Sequence, residues 1–390
     1  MGSEIEIVKL DQQPCCVKYL DLYDAFLVGT YQLLGSGIEA AAKSSFFATL
    51  SEEQIESHLT KINRRLGSFV VIKQDLDHTF RIVHLLECDD NGGVFDFVIA
   101  HQDIYAAHSN GTLGRYKLEK LKSHFKISIR SQIVVPQTKM LTCIDKFLGQ
   151  PDQELTVVGS AEGTIAIIEG AQVRLEHICD TTDPIWQVRC IELNSDHKMI
   201  IVGAENSFWY VYEVSLLAGP SLQLLYKSDR DQYSAGITCI VQLNCDFGIS
   251  PDRRSNAIRI LVGSYDETFK CYELTFQSDQ ANNSSSRPQV KLIFSQKVED
   301  GGIWRIKQLS PVNGDLRLYV AAMYAGSYEF CYNFIEPNRY QSSESKRLVD
   351  IQSLKFDKKP LHYDIDYSAR SSACCIADFN NSICLIKYDT

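Results

Sequence analysis

Apolar residues fall in short runs along the whole chain, each closing on a small residue and followed by a polar turn and a second, alternating run. The first runs read Phe26-Leu27-Val28-Gly29 and Tyr105-Ala106-Ala107, and later ones close on Gly159, Gly203, Gly263, Ala322 and Ala377. Each such run reads as an apolar strand that ends at the small residue. The alternating run after it, as in Thr164-Ile165-Ala166-Ile167-Ile168 or Thr268-Phe269-Lys270-Cys271-Tyr272, marks a half-buried strand. Seven copies of one strand, turn and strand unit, spaced at or above the roughly 40–45 residues of a propeller repeat, predict an all-β fold. The expected architecture is a single seven-bladed WD40-type β-propeller over residues 1–390. A β-sandwich would also supply short strands, but gives no reason for the same small-residue turn to recur seven times.

Two stretches interrupt the repeat. Ser51-Glu52-Glu53-Gln54 has the form of a capping box, and Ile55, Leu59, Ile62 and Leu66 follow on one helical face, so an inserted rim helix is expected within about 40–70. The segment Gln277 to Pro288 is rich in Ser, Asn and Gln and reads as a flexible loop, about 277–288.

Composition narrows the setting. With 49 acidic against 39 basic residues the net charge is −10, which argues against a phosphate-backbone footprint and hence against nucleic acid as a partner. The 13 cysteines are odd in number, with adjacent pairs at Cys15-Cys16 and Cys374-Cys375, a pattern of reduced, buried thiols rather than of a disulfide framework. No apolar run approaches the length of a membrane span, and the start Met1-Gly2-Ser3-Glu4-Ile5-Glu6 carries no signal or myristoylation pattern. A cytoplasmic protein without membrane insertion is expected, with the sequon-like Asn283-Ser284-Ser285 unmodified.

Plain repeats of this fold end in Trp-Asp and carry Gly-His pairs, both nearly missing here. Three other segments are more specific: Gly29-Thr30-Tyr31-Gln32-Leu33, Gly263-Ser264-Tyr265-Asp266-Glu267 and Gly301-Gly302-Ile303-Trp304-Arg305-Ile306-Lys307. In sequence and order they resemble the signatures of the diphthine methyl esterase family, propeller members of the diphthamide pathway, and the resemblance runs from about residue 15 to the end. Two departures occur. Met323-Tyr324-Ala325-Gly326 stands where the family tends to show Met-His-Ser-Gly, so no role transfers to that histidine. Tyr363-Asp364-Ile365-Asp366-Tyr367 is similar to a family Tyr-Gly-x-Asp-Trp segment, of which Tyr363 and Asp366 carry over.

The resemblance implies a substrate: methylated diphthine on a histidine of elongation factor 2, a side chain with a trimethylated amine and a methyl-esterified carboxyl group. Hydrolysis would give diphthine and methanol, with other diphthamide-pathway enzymes as further partners. In a propeller, the loops entering first strands and the turns between second and third strands open on one face. Tyr31, Gln32, Tyr265, Glu267, Gly301, Gly302, Trp304 and Tyr363 are therefore the expected substrate-binding residues at that mouth. A fixed cation suits ring faces, for which Tyr265, Trp304 and Tyr363 are candidates with Glu267 nearby. No Gly-x-Ser-x-Gly elbow, His-Glu-x-x-His or Cys-x-x-Cys pattern is present, so neither a serine nucleophile nor a metal or other cofactor is expected. General-base hydrolysis remains, with Asp266 or Asp366 activating water, His362 as an alternative base, and Arg305 or the Gly301-Gly302 amides facing the oxyanion. Asp266 can equally cap its own turn, Gly301 and Gly302 can serve a tight loop, Trp304 can be core, and Arg305 can be satisfied by an ion pair with Asp366. The competing class is a non-catalytic scaffold, as many propellers are, holding partners in endosomal trafficking, with peripheral association with endosomes, or in a ubiquitin ligase complex.

Overall fold

The computed structural model describes residues 3–33, 65–75, 77, 79–88, 92–121, 124–147, 154–179, 182–193, 198–215, 219, 221–243, 256–276, 287–309, 315–334, 346–354 and 360–388. These form seven antiparallel sheets arranged as a β-propeller, with no helix among the described residues. Blade 1 comprises residues 13–87, blades 2 to 6 follow in order, and blade 7 combines three C-terminal strands with the N-terminal one. Most of the expected rim helix lies outside the described residues, as does most of the loop 277–288. The described end of the insertion is strand: Arg65–Leu66 pairs with Gln32 and Leu33, which corrects the helical reading of Leu66.

Each blade runs outward from a channel-lining first strand. Second strands such as Leu155–Ser160 are buried at every position and outer strands such as Gln289–Lys297 are partly exposed throughout. Of the third strands read as half-buried, Thr268–Phe276 alternates, whereas Thr164–Glu169 is buried at all but its last position because its blade is covered on both sides. Neighbouring first strands contact one another all the way round the ring. Seven apolar clusters fill the seven blade interfaces; one joins Phe69 and Val71 of blade 1 to Phe97 and Ile104 of blade 2, and another joins Val17 and Phe26 of blade 1 to Cys375 and Leu385 of blade 7.

The recurring small residue has a packing cause. A Cβ on Gly159, Gly203 or Gly263 would stand 2.7 Å from Cγ2 of Ile185, Ile237 or Ile303, the residue that opens the next blade, and one on Gly29 would stand 2.8 Å from Val94. The repeat is the footprint of one blade lying tightly against the next. Register moves the sixth anchor by one residue: Ala321 pairs with both Arg305 and Ser327, as Gly203 pairs with Gln187 and Trp209, so the equivalent position is Ala321 and not Ala322.

The ring closes through both ends of the chain. Ser3–Lys9 pairs along its full length with Ser382–Tyr388 as the outer strand of blade 7. The described cysteines are free and mostly buried. No helix among the described residues is long and apolar enough to cross a membrane.

Candidate functional site

First strands share a common irregularity near their start, a β-bulge that displaces one residue in six of the seven blades. The displaced residues are Cys15, Phe95, Thr142, Trp186, Thr238 and Tyr363; Trp304, just before Arg305–Gln308, is the equivalent in blade 6. In blades 1, 3 and 5 the side chain is small and donates to a carbonyl of the next blade: Cys15 Sγ to Val94, Thr142 Oγ1 to Ile185 and Thr238 Oγ1 to Ile303. In blades 2, 4, 6 and 7 it is aromatic.

Those aromatic residues meet a second set, two positions beyond the small anchor, which includes Tyr31, Tyr265 and Phe379. Tyr31 stacks on Phe95 at 4.8 Å between ring centroids and lies 5.2 Å from Phe379. Phe379 stacks on Tyr363 at 4.6 Å, Tyr363 lies 4.8 Å from Trp304, and Trp304 is 5.3 Å from Tyr265 and 5.8 Å from Trp186. A continuous aromatic wall thus runs through blades 2, 1, 7, 6, 5 and 4. Trp304 is buried and the other six are half-buried. Desolvation raises the phenol pKa of Tyr31, Tyr265 and Tyr363, so all three remain neutral donors at physiological pH.

The channel behind the wall is charged but internally matched. A cavity of about 570 Å³ is lined at one level by Lys18, Val98, Asp145, Arg189, Val241, Lys307 and Asp366, one residue from each first strand, and beside them by Asp96, Gln187, Arg305 and Asp364. Lys307 pairs with Asp366 at 2.8 Å, Arg189 with Asp145 at 3.6 Å, Lys18 with Asp364 at 3.8 Å and Arg305 with Asp96 at 3.9 Å. Burial lowers the Lys18 pKa, but Asp364 and Asp96 more than offset this and raise it; Arg305 is raised against burial in the same way. Burial raises Asp364.

Tyr31, Tyr265, Trp304 and Tyr363, expected at one mouth, are brought together there. Gly302 lies against Tyr265, where a Cβ would come within 2.9 Å of its ring, and Gly301 sits against the backbone of Ala322, so both glycines are required sterically. Gln32 lies in the second strand of blade 1, paired with Leu66. Glu267 points elsewhere, bound to Lys297 of the outer strand at 3.2 Å. Asp266 accepts from the Thr268 amide and hydroxyl through one oxygen and from the Ser234 amide through the other. Asp366 accepts from the Tyr367 and Tyr19 amides, both at 2.8 Å, as well as from Lys307. Arg305 donates to the Thr238 and Trp304 carbonyls and faces Asp96, so its carboxylate partner is Asp96 and not the expected Asp366. His362 is fully buried, its Nδ1 2.8 Å from Ser327 Oγ, and burial lowers its pKa to about 4.

His362, Asp378 and Cys384 offer ligand atoms within 4.8 Å of one another. The Asp378 carboxylate there accepts from the Leu361 and Asn380 amides and the Ser382 hydroxyl, which accounts for the cluster as a hydrogen-bonded turn.

The site residues outside the expected set are Phe95, Trp186, Glu205 and Phe379. Glu205 occupies in blade 4 the position that Tyr265 holds in blade 5, and its carboxylate accepts the Trp186 indole N–H. The small anchors place Glu205 and Phe379 in line with Tyr265, two residues on, whereas the interval from each first strand to its anchor varies among the units, so Phe95 and Trp186 carry no such signal in the sequence. No family model matches the chain, and no curated protein matches it. By fold and site it is a seven-bladed β-propeller with an aromatic mouth over a charge-matched channel.

Proposed function

We propose that the chain is a carboxylic ester hydrolase that removes the methyl ester of methylated diphthine on elongation factor 2, releasing methanol. The observation that supports this reading is the aromatic wall, into which Tyr31, Tyr265 and Trp304 bring the three signature segments and Tyr363 a fourth, similar one. The substrate carries a trimethylammonium group and an ester on one short side chain. Ring faces hold the first, and partly desolvated surroundings strengthen electrostatic action on the second.

In the reaction, a base takes a proton from water as its oxygen adds to the ester carbonyl, and the tetrahedral intermediate expels methoxide, which leaves as methanol with that proton. Asp266 is the first candidate base, because its turn also carries Tyr265. Asp366, farther along the channel, and His362, neutral above about pH 4, are the alternatives. Arg305 and the Gly301-Gly302 amides are the candidates for the oxyanion.

Incubating the purified chain with elongation factor 2 carrying methylated diphthine should lower the product mass by one methylene. Asp266→Asn should slow that change on the order of a hundredfold, with a loss of stability limited to the Ser234 hydrogen bond, about 0.5–1.5 kcal/mol. An unchanged mass with the wild-type chain would sink the hydrolase reading. The second reading, a scaffold, draws on apolar side chains exposed on outer strands of adjacent blades, Ile5 and Ile7, Ile82 and Leu85, and Ile129 and Val134.

A further inference from the structure

The wall's outer limit in blade 4 is unlike the rest of it. Trp186 is half-buried, its N–H is taken up by Glu205, and its ring is inclined 54° to that of Trp304. Glu205 is exposed, yet its carboxylate is confined: a Cβ on Gly236 would stand 2.5 Å from its Oε2, and its charge is felt by the Tyr265 hydroxyl. Two indoles, a phenol and a carboxylate therefore converge from blades 4, 5 and 6. With its N–H satisfied, Trp186 offers a ligand only its π-face.

We propose that Trp186, Glu205, Tyr265 and Trp304 form the binding site for a permanently charged, fully alkylated ammonium group. The proposal deepens the hydrolase reading and rests on it for the identity of the natural substrate. The chemistry selects this class. A quaternary ammonium has no N–H, so it does not compete with Trp186 for Glu205, and it is held by ring faces together with the Glu205 charge, which the indole N–H does not neutralise. The Arg305 guanidinium, 5.4 Å from the Trp304 ring, is itself matched by Asp96. A primary ammonium would need several acceptors, and this group of side chains supplies one carboxylate, already engaged by the indole. A neutral isostere would keep the shape and lose the attraction. Glu267, the expected counter-charge, is held by Lys297 instead, which leaves the role to Glu205.

The test is a titration of the full chain with tetramethylammonium, read by tryptophan fluorescence. The chain has three tryptophans, and Trp209 is fully buried in the interface between blades 4 and 5, so a change reports on Trp186 and Trp304. Saturable quenching is expected with tetramethylammonium and at least tenfold weaker with neutral neopentyl alcohol. Glu205→Gln should raise the dissociation constant about tenfold and Trp186→Leu by a similar factor, while Glu267→Gln leaves it unchanged. On methylated-diphthine elongation factor 2, Glu205→Gln should raise KM with little change in kcat. Absence of saturable binding, equal binding of the neutral isostere, or equal effects of Glu205→Gln and Glu267→Gln would overturn the site. Hydrolysis with an unaltered KM in Glu205→Gln would overturn it while leaving the hydrolase reading intact. Saturable, Glu205-dependent binding without any loss of methylene mass would uphold the cation site and remove the hydrolase reading.

Discussion

Single side chains set how this protein responds to acid. His108 is fully buried with its Nε2 2.9 Å from the Tyr116 hydroxyl, and burial lowers its pKa to about 4, the same value as for His362. Above the unfolded value of about 6.5 both histidines are neutral in either state and pH has no leverage through them. Between about 6.5 and 4 the unfolded chain takes up protons that the folded chain refuses, so stability falls as pH falls. Each histidine can remove on the order of 2–4 kcal/mol across that window. Urea midpoints should therefore drop steeply from pH 7 to pH 5, and His108→Gln should flatten the slope even if it lowers the midpoint at pH 7. An unchanged slope in that variant would mean that His108 is not the acid-sensitive group. At this scale the candidate site was half legible. Tyr31, Tyr265, Trp304 and Tyr363 stand in distinctive segments, whereas Trp186 and Glu205 acquire meaning only from their neighbours in blades 5 and 6. Nothing in the sequence around Glu267 says that Lys297 will claim it.

Strands are joined to strands across blades by carboxylates in a recurring way. Asp145, Asp364 and Asp366 each accept the amide of the next residue with one oxygen and an amide of the following blade's first strand with the other: Cys190, Val17 and Tyr19 respectively. First strands of neighbouring blades are not paired in a ladder, so their inward amides need such acceptors or stay unsatisfied in a largely buried channel. Asp145→Ala removes both bonds of the staple between blades 3 and 4 and should cost about 2–4 kcal/mol; Asp145→Asn, which keeps one acceptor, should cost roughly half. Equilibrium unfolding in urea would measure both, and a loss below about 0.5 kcal/mol for Asp145→Ala would show that water satisfies these amides equally well. The strands themselves were readable from alternation and from the small anchors, because blade packing imposes them directly on composition. The staples were not, since an acidic residue in a channel strand looks the same whether it awaits a ligand or holds an amide from the far end of the chain. Asp366 illustrates the ambiguity: selected as a base, it carries two backbone amides and Lys307.

Closure of the whole ring depends on two independent connections at the seam between blades 7 and 1. Outside, Ser3–Lys9 completes the last blade, and Glu6 accepts the Phe80 amide of blade 1 while pairing with Lys387. Inside, Asp364 and Asp366 hold the amides of Val17 and Tyr19, and the apolar cluster of Val17, Phe26, Val70, Cys375 and Leu385 lies between. A ring held by one connection can stay shut, whereas loss of both lets blade 7 part from blade 1 and exposes the apolar interface between them. Deleting residues 1–10 should therefore lower the unfolding temperature yet leave a monomeric, cooperatively unfolding protein, because the inner staples and the apolar seam survive. Asp364→Ala alone should likewise be tolerated, at a cost no smaller than that of Asp145→Ala, about 2–4 kcal/mol, since it removes two amide bonds and the partner of Lys18. The two together should destabilise by more than the sum of the single changes and yield a chain that is cleaved by protease at the seam and self-associates, since each connection limits the opening that the other would otherwise permit. Additive effects in the combined variant, with no gain in protease sensitivity, would show that the seam is not a shared point of closure and that the remaining blade interfaces hold the ring without it.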